Sequence, residues 1–229
     1  MKVIILAGGR GSRMGEQTDV IPKPLVTIGG KPIIEHIMMM FQENIGDCKF
    51  VISAGYKHEV ISDHFQDRDD VLVFDTGLET QTAGRLWKLR HYLAEPFYFC
   101  YGDGLTDYNL YDLRMGVSKT EFTTKMLVVH PMSRFGEVEF NARGKVVNFS
   151  EKPISSTWIN GGFFYTTPDI FKFIHKESDI LEEDVLPIMT AREDLGCDSY
   201  DGFWHCMDTP KARKELEDLY NRGEAKWLK

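Results

Sequence analysis

Residues 3–24, VIILAGGRGSRMGEQTDVIPKP, run from a short apolar stretch into a loop rich in glycine and arginine. A short run of β-branched and aliphatic residues is typical of a strand that is covered on both faces. Glycines let a loop approach a ligand closely, and a loop between a strand and a helix can present backbone N–H groups to phosphate oxygens. The stretch therefore predicts a strand, a phosphate-binding loop and a helix, in that order.

The loop matches neither of the two common phosphate-binding fingerprints. GGRGSR lacks the G-x-x-x-x-G-K-[ST] pattern of a P-loop, and the third glycine of a dinucleotide fingerprint is missing. The loop adds positive charge instead, at Arg10 and Arg13, and Lys23 stands between two prolines that restrict its backbone. On the loop alone, a glycine turn with solvated arginines is the competing interpretation.

Segments typical of strands and of helices alternate through the first half of the chain. This rhythm predicts a mostly parallel sheet with helices on both faces, and loops at the ends of parallel strands are where such sheets bind ligands. The predicted strands are Lys2–Ala7, Lys49–Ser53, Val71–Phe74 and Phe97–Tyr101, and the predicted helices are Pro32–Asn44, Lys57–Phe65 and Gly84–Leu93.

After Asp107 the pattern changes to strands that follow one another closely. The expected strands are Thr123–His130, Gly136–Phe140 and Val146–Phe149, with Asn141–Lys145 as a hairpin turn, and the expected helices are Pro168–Ile174, Leu181–Arg192 and Thr209–Asn221. No linker interrupts the chain. We therefore predict one α/β domain, residues 1–229, with an antiparallel portion inserted in its second half.

Composition excludes several function classes. The net charge of −8 argues against a general nucleic-acid binder, so any polyanion must be held by a local basic site. No apolar stretch is long enough to cross a bilayer, and the four cysteines show no zinc-like or CxxC spacing. We expect buried free thiols and a soluble cytoplasmic protein that binds neither nucleic acid nor membrane.

The order of several short segments resembles a known family. LAGGRGSRM, IPKPLVTIGGKPIIEHI, GYKHEVISDHF, TAGRL, YGDGLTD, RFGEVEF, FSEKP, WINGGFF and FWHCMDTPKA occur in this sequence in the order typical of sugar-nucleotide pyrophosphorylases, which are sugar-1-phosphate nucleotidyltransferases. Within that family, MGEQT, the DTG and TAGRL segments, and the closing GEAKW are most similar to the glucose-1-phosphate cytidylyltransferase branch.

The resemblance implies a Rossmann-like three-layer αβα fold of the GT-A-like type, with a nucleotide-binding half of about residues 1–107 and an acceptor-binding half of about 108–229. It implies in-line attack of a phosphate oxygen on the α-phosphorus of CTP, the release of pyrophosphate, and a CDP-linked product for cell-surface polysaccharide synthesis. The implied site residues are Arg13 and Lys23 for catalysis; Leu6, Ala7, Gly8, Gly9, Gly11, Ser12, Thr82, Gly84, Arg85 and Asp103 for the nucleotide; Glu151, Lys152, Asn160 and Gly161 for the acceptor; and Asp103 and Asp208 for Mg²⁺.

The residue types at the implied metal site suit that role. Asp103 follows the apolar strand FYFCY, and a carboxylate at the end of a strand beside a phosphate site is a hard oxygen ligand for a hard cation. The competing interpretations are a turn-forming aspartate at Asp103 and a helix cap at Asp208. For Arg85 an exposed arginine at a helix start is the alternative, and for Lys152 a surface salt bridge.

The sequence departs from the family pattern in two places. Only Gln66–Phe74 separates the helix ending at Phe65 from the DTG segment, where the cytidylyltransferases have a longer stretch, and Ala83 replaces an expected glycine. A non-sugar acceptor such as a phosphorylated amino acid or polyol, and UTP or dTTP as donor, stay open. So do a homo-oligomeric assembly and a non-catalytic regulatory relative, whereas the broken fingerprint disfavours a dinucleotide oxidoreductase.

Overall fold

The computed structural model describes residues 1–118, 121–133 and 135–228; Arg134, the first residue of the RFGEVEF segment, lies outside them. The strands are β1 (Lys2–Ala7), β2 (Thr27–Ile28), β3 (Lys31–Pro32), β4 (Lys49–Ala54), β5 (Val71–Asp75), β6 (Phe97–Tyr101), β7 (Gly104–Thr106), β8 (Thr124–Val129), β9 (Glu137–Phe140), β10 (Val146–Ser150), β11 (Ile159–Thr166), β12 (Leu195–Tyr200) and β13 (Trp204–Cys206). The α-helices are α1 (Gln17–Val20), α2 (Ile33–Ile45), α3 (His58–Phe65), α4 (Thr82–Leu89), α5 (Leu186–Ala191) and α6 (Pro210–Asn221).

Seven of these strands form one central sheet in the order β12-β8-β11-β6-β1-β4-β5. Strand β11 runs antiparallel to both of its neighbours, and the other neighbouring pairs are parallel. The predicted mostly parallel sheet is therefore confirmed, and the strand that reverses direction comes from the second half of the chain.

Helices cover both faces of this sheet. Along β1, Val3 and Ile5 belong to one buried cluster, whereas Ile4 and Leu6 belong to another. The first cluster includes buried residues of α2, α3 and α6, and the second includes those of α4 and α5. Because successive side chains of a strand point to opposite faces, this alternation establishes the three-layer αβα arrangement that the sequence predicts.

Strand β11 was not among the predicted strands. It contains Gly161 and Gly162, and its pairing with β8 shifts register between Asn160 and Phe164. Glycines within a strand weaken the sequence signal and often mark such a bulge. Strand β12 was also missed, because it lies at the sheet edge and its sequence, LGCDSY, has no β-branched residue and no alternation of apolar with polar residues.

The inserted antiparallel portion has two parts. Strands β9 and β10 form a two-stranded sheet, and their apolar side chains, including Phe140 and Phe149, are exposed. Strands β7 and β13 form a second small pair, in which Gly104 lies opposite Cys206. The backbone N–H of Met207 then donates to the carbonyl oxygen of Asp103 at 2.8 Å, so this pair brings two distant segments together at the end of β6.

Helix boundaries differ modestly from the predicted ones. Helix α4 begins at Thr82 and ends at Leu89, and a 3-10 turn, Arg90–Tyr92, follows it. The expected helix over 181–192 is a π-helical turn, Leu181–Val185, that continues into α5. No helix in the described part of the chain is both long and apolar enough to span a bilayer.

The four cysteines are free thiols, as expected, but they are not all buried. Cys48 and Cys100 lie in the core, whereas Cys197 is exposed on β12 and Cys206 is partly exposed. The expectation of buried thiols is wrong for Cys197, because an edge strand turns every second side chain towards solvent.

Helix α4 packs directly against the backbone of the segment 177–179. The N–H of Gly84 donates to the carbonyl oxygen of Asp179 at 3.1 Å, and that of Gln81 donates to the carbonyl oxygen of Glu177 at the same distance. A Cβ atom added to Gly84 would overlap the carbonyl group of Glu177. The glycine at position 84 is therefore required by packing.

Replacing Gly84 with alanine should lower the free energy of unfolding by about 1–3 kcal/mol, because the added methyl group displaces a backbone segment. Alanine is otherwise the better helix former by about 1 kcal/mol, so the helix propensity acts in the opposite direction. Urea unfolding measures the change. Gly9→Ala is the matched control, since nothing lies within 4 Å of a Cβ atom there; a stabilised Gly84→Ala variant would contradict the packing argument.

Candidate functional site

A cleft of about 1110 Å³ lies where β1 and β6 end. The two strands are parallel neighbours, and the N–H of Gly102 donates to the carbonyl oxygen of Leu6 at 3.2 Å, so the loops that follow them lie side by side. The predicted site residues that line the cleft are Leu6, Ala7, Gly8, Gly9, Gly11, Ser12, Arg13, Lys23, Thr82, Arg85, Asp103, Lys152, Asn160, Gly161 and Asp208. Residues from both halves of the chain therefore meet in one place.

Lys23 lies between the two aspartates at the centre of this cleft. Its Nζ atom is 2.6 Å from Oδ2 of Asp103 and 3.0 Å from Oδ1 of Asp208. The three side chains are only 13%, 21% and 17% exposed. Burial by itself lowers the pKa of Lys23, but the Asp103 and Asp208 carboxylates outweigh burial, so this pKa is raised and the ammonium stays charged.

The glycine loop places the cationic side chains. Gly11 has a φ of 65°, and a Cβ atom there would be 2.9 Å from the Cβ atom of Lys23, so both the dihedral and the contact favour glycine. A 3-10 turn, Ser12–Met14, follows the loop and is anchored by the buried Met14. Arg13 in this turn is 70% exposed and forms an ion pair with Asp208. Two cations therefore share one carboxylate at the mouth of the loop.

Arg85 lies beneath the loop and is only 5% exposed. Its Nη1 atom donates to Oγ1 of Thr76 at 2.6 Å and to the carbonyl oxygen of Ala54 at 3.1 Å. Burial lowers the pKa of its guanidinium group. A Cβ atom added to Gly8 would overlap this guanidinium, so Gly8 and Arg85 fit together as a pair. The alternative of an exposed arginine at a helix start is therefore wrong.

The second half of the chain contributes Lys152, Asn160 and Gly161 to the cleft lining. Lys152 has a φ of 49°, which is uncommon for a residue with a side chain, and such backbone strain is concentrated at functional sites. The amide of Asn160 donates to the hydroxyl of Tyr101 at 3.1 Å, and Nε1 of Trp204 donates to the carbonyl oxygen of Gly161 at 2.8 Å.

Gly84 and Glu151 are absent from the cleft lining. Gly84 contacts Glu177, as described above, so its missing side chain does not open the backbone to a base. The Glu151 side chain is 62% exposed, and its Oε1 atom is 3.5 Å from Nζ of Lys152. The structure thus places Glu151 beside Lys152 and outside the cleft lining.

The lining also contains residues that were not predicted. Tyr101 and Trp204 stand within quoted segments, YGDGLTD and FWHCMDTPKA, and an aromatic residue next to a charged site is a usable signal. Glu182 gave no such signal, because it is one of three successive acidic residues in a helical pattern. It accepts hydrogen bonds from Tyr101 and, at 2.9 Å, from Oγ1 of Thr82.

The donor set suits a cation that keeps some of its own water. Among the described residues there is no group of three or more acidic, histidine or cysteine side chains that could enclose a metal ion. Asp103 and Asp208 are two oxygen donors that share the Lys23 ammonium as a common partner. Mg²⁺ is commonly bound by one or two carboxylates together with substrate phosphates and water, so the pair fits such an ion.

The comparison with known proteins supports one family. The sequence pattern of the nucleotidyl transferase family matches residues 2–212. The chain is 34% identical to the probable glucose-1-phosphate cytidylyltransferase of Bacillus subtilis over 254 positions, which include 99% of each chain. It is 35% identical to the glucose-1-phosphate cytidylyltransferase of Salmonella typhimurium over 258 positions, 99% of this chain and 98% of that one. Both alignments are longer than the 229 residues of this chain, so the relatives contain a stretch that it lacks.

Solved structures support the fold. HddC from Yersinia pseudotuberculosis, in a complex with GMP-PN, superimposes with a TM-score of 0.76 over 96% of this chain and 99% of its own, at 20% identity. The region that matches the family's sequence pattern, residues 2–212, includes the glycine loop, Lys23, Asp103 and Asp208. The chain belongs to the nucleotidyl transferase family.

Proposed function

We propose that this protein transfers CMP from CTP to a sugar 1-phosphate, with glucose 1-phosphate as the first acceptor to be tested, and releases pyrophosphate. The product would be a CDP-sugar of the kind used for cell-surface polysaccharides. Full-length similarity to proteins named glucose-1-phosphate cytidylyltransferase supports this donor and acceptor. We further propose that residues of about 1–107 hold the nucleotide and those of about 108–229 hold the acceptor.

The observation that carries the proposal is the charge cluster at the centre of the cleft. Lys23 contacts Asp103 and Asp208, and Arg13 pairs with Asp208, directly beside the glycine loop. Attack of one phosphate on another concentrates negative charge, so catalysis depends mainly on positioning and charge compensation. A relative without catalytic activity has no functional need for these charged side chains to meet in an open cleft.

Each cation has a distinct role in this proposal. Lys23 contacts the α-phosphate, where charge develops as the acceptor oxygen attacks, and Arg13 neutralises the β- and γ-phosphates that leave together. The backbone of residues 6–12 receives the base and the phosphates. Lys152 orients the acceptor phosphate, and Asn160 and Gly161 contact the acceptor. Lys23 and Arg13 must partly exchange their carboxylate partners for phosphate oxygens when the nucleotide binds.

Nucleotidyltransferases of this family generally use a divalent metal ion. We propose Mg²⁺, held by Asp103 and Asp208, for the reasons of donor chemistry given above. When bound, it would supply positive charge that offsets the repulsion between the two phosphorylated substrates.

A substrate panel tests the donor and the acceptor together. We expect pyrophosphate release with CTP, Mg²⁺ and glucose 1-phosphate, and much slower release with UTP, dTTP, ATP or GTP. The acceptors to compare are other sugar 1-phosphates, a phosphorylated amino acid and a polyol phosphate. A preference for a non-sugar phosphate would show that the proposed sugar 1-phosphate is not the acceptor. The absence of turnover with every pair would favour the non-catalytic alternative.

The two aspartates can be tested by removing one charge at a time. Asp103→Asn and Asp208→Asn should each reduce kcat by about 10²–10³-fold, the range found when one group that stabilises developing charge is lost. Circular dichroism should show an unchanged fold. Asp218→Asn, on the exposed side of α6, is the control; wild-type rates in both cleft variants would refute the metal assignment.

Lys23→Ala should also reduce kcat by about 10²–10³-fold, because its charge acts most strongly as the α-phosphorus is attacked. Its effect on the KM for CTP should be smaller than its effect on kcat, since the interaction strengthens in the transition state. Steady-state kinetics separate the two effects. Lys172→Ala is the matched control, because Lys172 is 70% exposed and pairs with Asp169; an unchanged kcat for Lys23→Ala would remove this lysine from the catalytic set.

A further inference from the structure

Glu182 stands at the centre of a hydrogen-bonded network that crosses the cleft. One of its carboxylate oxygens accepts a hydrogen bond from Tyr101, and the other accepts from Oγ1 of Thr82 at 2.9 Å. The amide of Asn160 donates to the Tyr101 hydroxyl at 3.1 Å. The network thus joins the start of α4, on the nucleotide side, to β11 on the acceptor side.

Both ends of this network are fixed by the backbone. The N–H of Leu181 donates to Oγ1 of Thr82 at 2.8 Å, and the N–H of Gly162 donates to Oδ1 of Asn160 at 2.8 Å. Because Asn160 uses its oxygen for Gly162, its amide nitrogen is the group left to hold Tyr101. Each member therefore has a set orientation before any substrate binds.

The Glu182 carboxylate is nevertheless open to the cleft. Glu182 is exposed and lines the cavity together with Tyr101, Thr82 and Asn160. Two hydrogen bonds leave further lone pairs on a carboxylate, which has about four acceptor sites. Glu151 does not line this cavity and instead stands next to the Lys152 ammonium. Glu182 is thus a cleft-lining carboxylate with free capacity to accept a hydroxyl, whereas Glu215, which also lines the cleft, pairs with His205 and Lys211.

We propose that Glu182 binds a hydroxyl group of the acceptor and thereby determines specificity for a polyhydroxylated phosphate, with Tyr101 as the positioning residue that orients its carboxylate. This inference rests on the proposed function, because it assigns a residue to the acceptor of that reaction. The proposed hydroxyl-binding residue lies in the π-helical turn Leu181–Val185, directly before α5.

The physical consequence is a strong penalty for acceptors that lack the hydroxyl. A hydrogen bond to a charged group contributes more than one between neutral groups, and a site built to bind a hydroxyl rejects the analogue without it, because a polar group then stays unpaired. Wild-type enzyme should therefore lose about 10- to 100-fold in kcat/KM with one of the monodeoxy forms of glucose 1-phosphate.

A substrate–variant cycle tests the assignment. With intact glucose 1-phosphate, the kcat/KM of Glu182→Gln should be about 10- to 100-fold below that of the wild type. With the deoxy analogue, the kcat/KM of this variant should then fall little further. The KM for CTP and the melting temperature should stay near their wild-type values. Glu183→Gln, an exposed neighbour outside the cleft lining, is the control, and Glu182→Asp should recover part of the lost selectivity.

Two results would overturn the inference in different ways. If wild-type enzyme turns over glucose 1-phosphate but Glu182→Gln shows the same losses with every deoxy analogue as wild type, the role of Glu182 is wrong and the proposed function stands. If wild-type enzyme turns over no sugar 1-phosphate, the proposed function fails and the inference fails with it.

The positioning role of Tyr101 has its own readout. Tyr101→Phe removes the hydroxyl that links Glu182 to Asn160, so it should raise the KM for glucose 1-phosphate severalfold and blunt the selectivity against the deoxy analogue while leaving kcat nearly unchanged. Equal increases in the KM for CTP and in the KM for glucose 1-phosphate would indicate a general structural defect and would contradict the positioning role.

Discussion

The contact of one lysine with two aspartates holds the candidate site together. Lys23 follows the glycine loop, Asp103 follows β6, and Asp208 follows β13, so a single ammonium links segments that are 80 and 185 residues apart in the sequence. Two carboxylates brought this close repel each other, and the largely buried lysine between them offsets that repulsion. The same charges are those that phosphoryl chemistry requires. The interaction that joins the three segments is therefore also the one that gathers these charges in the cleft.

The topology explains why such distant segments meet. Parallel strands β1 and β6 end at the same edge, which brings the glycine loop beside Asp103. The small β7–β13 pair then returns the chain to this edge and sets Met207 against the backbone of Asp103. Strand β11, which reverses direction within the sheet, adds Asn160 and Gly161 from the other side. An antiparallel strand in a parallel sheet thus brings residues from the second half of the chain to the edge where the parallel strands β1 and β6 end.

Much of the fold and of the candidate site could be predicted from the sequence, and the exceptions have physical causes. The strand, loop and cationic residues at the N-terminus are encoded locally, in glycine, proline and apolar patterning, and the alternation of elements gave the layered sheet. Strand β11 was missed because its two glycines hide the strand signal at a bulge. The contacts of Gly84 with Glu177 and of Glu182 with Thr82 join residues about a hundred positions apart, so no local pattern reports them. The resemblance supplied most of the site residues, but it did not indicate that Glu151 stays outside the cleft.

The fit between Gly8 and Arg85 restricts how this protein can change over evolutionary time. The guanidinium group fills the space that any side chain at position 8 would occupy, and it is tied to Thr76 and Ala54 in the adjacent strand and loop. A side chain at position 8 requires the Arg85 guanidinium to move, and a shorter residue at 85 removes the hydrogen bonds to Thr76 and Ala54. Neither change is neutral when it comes first. The two positions are therefore expected to vary together or not at all, although 76 residues separate them in the chain.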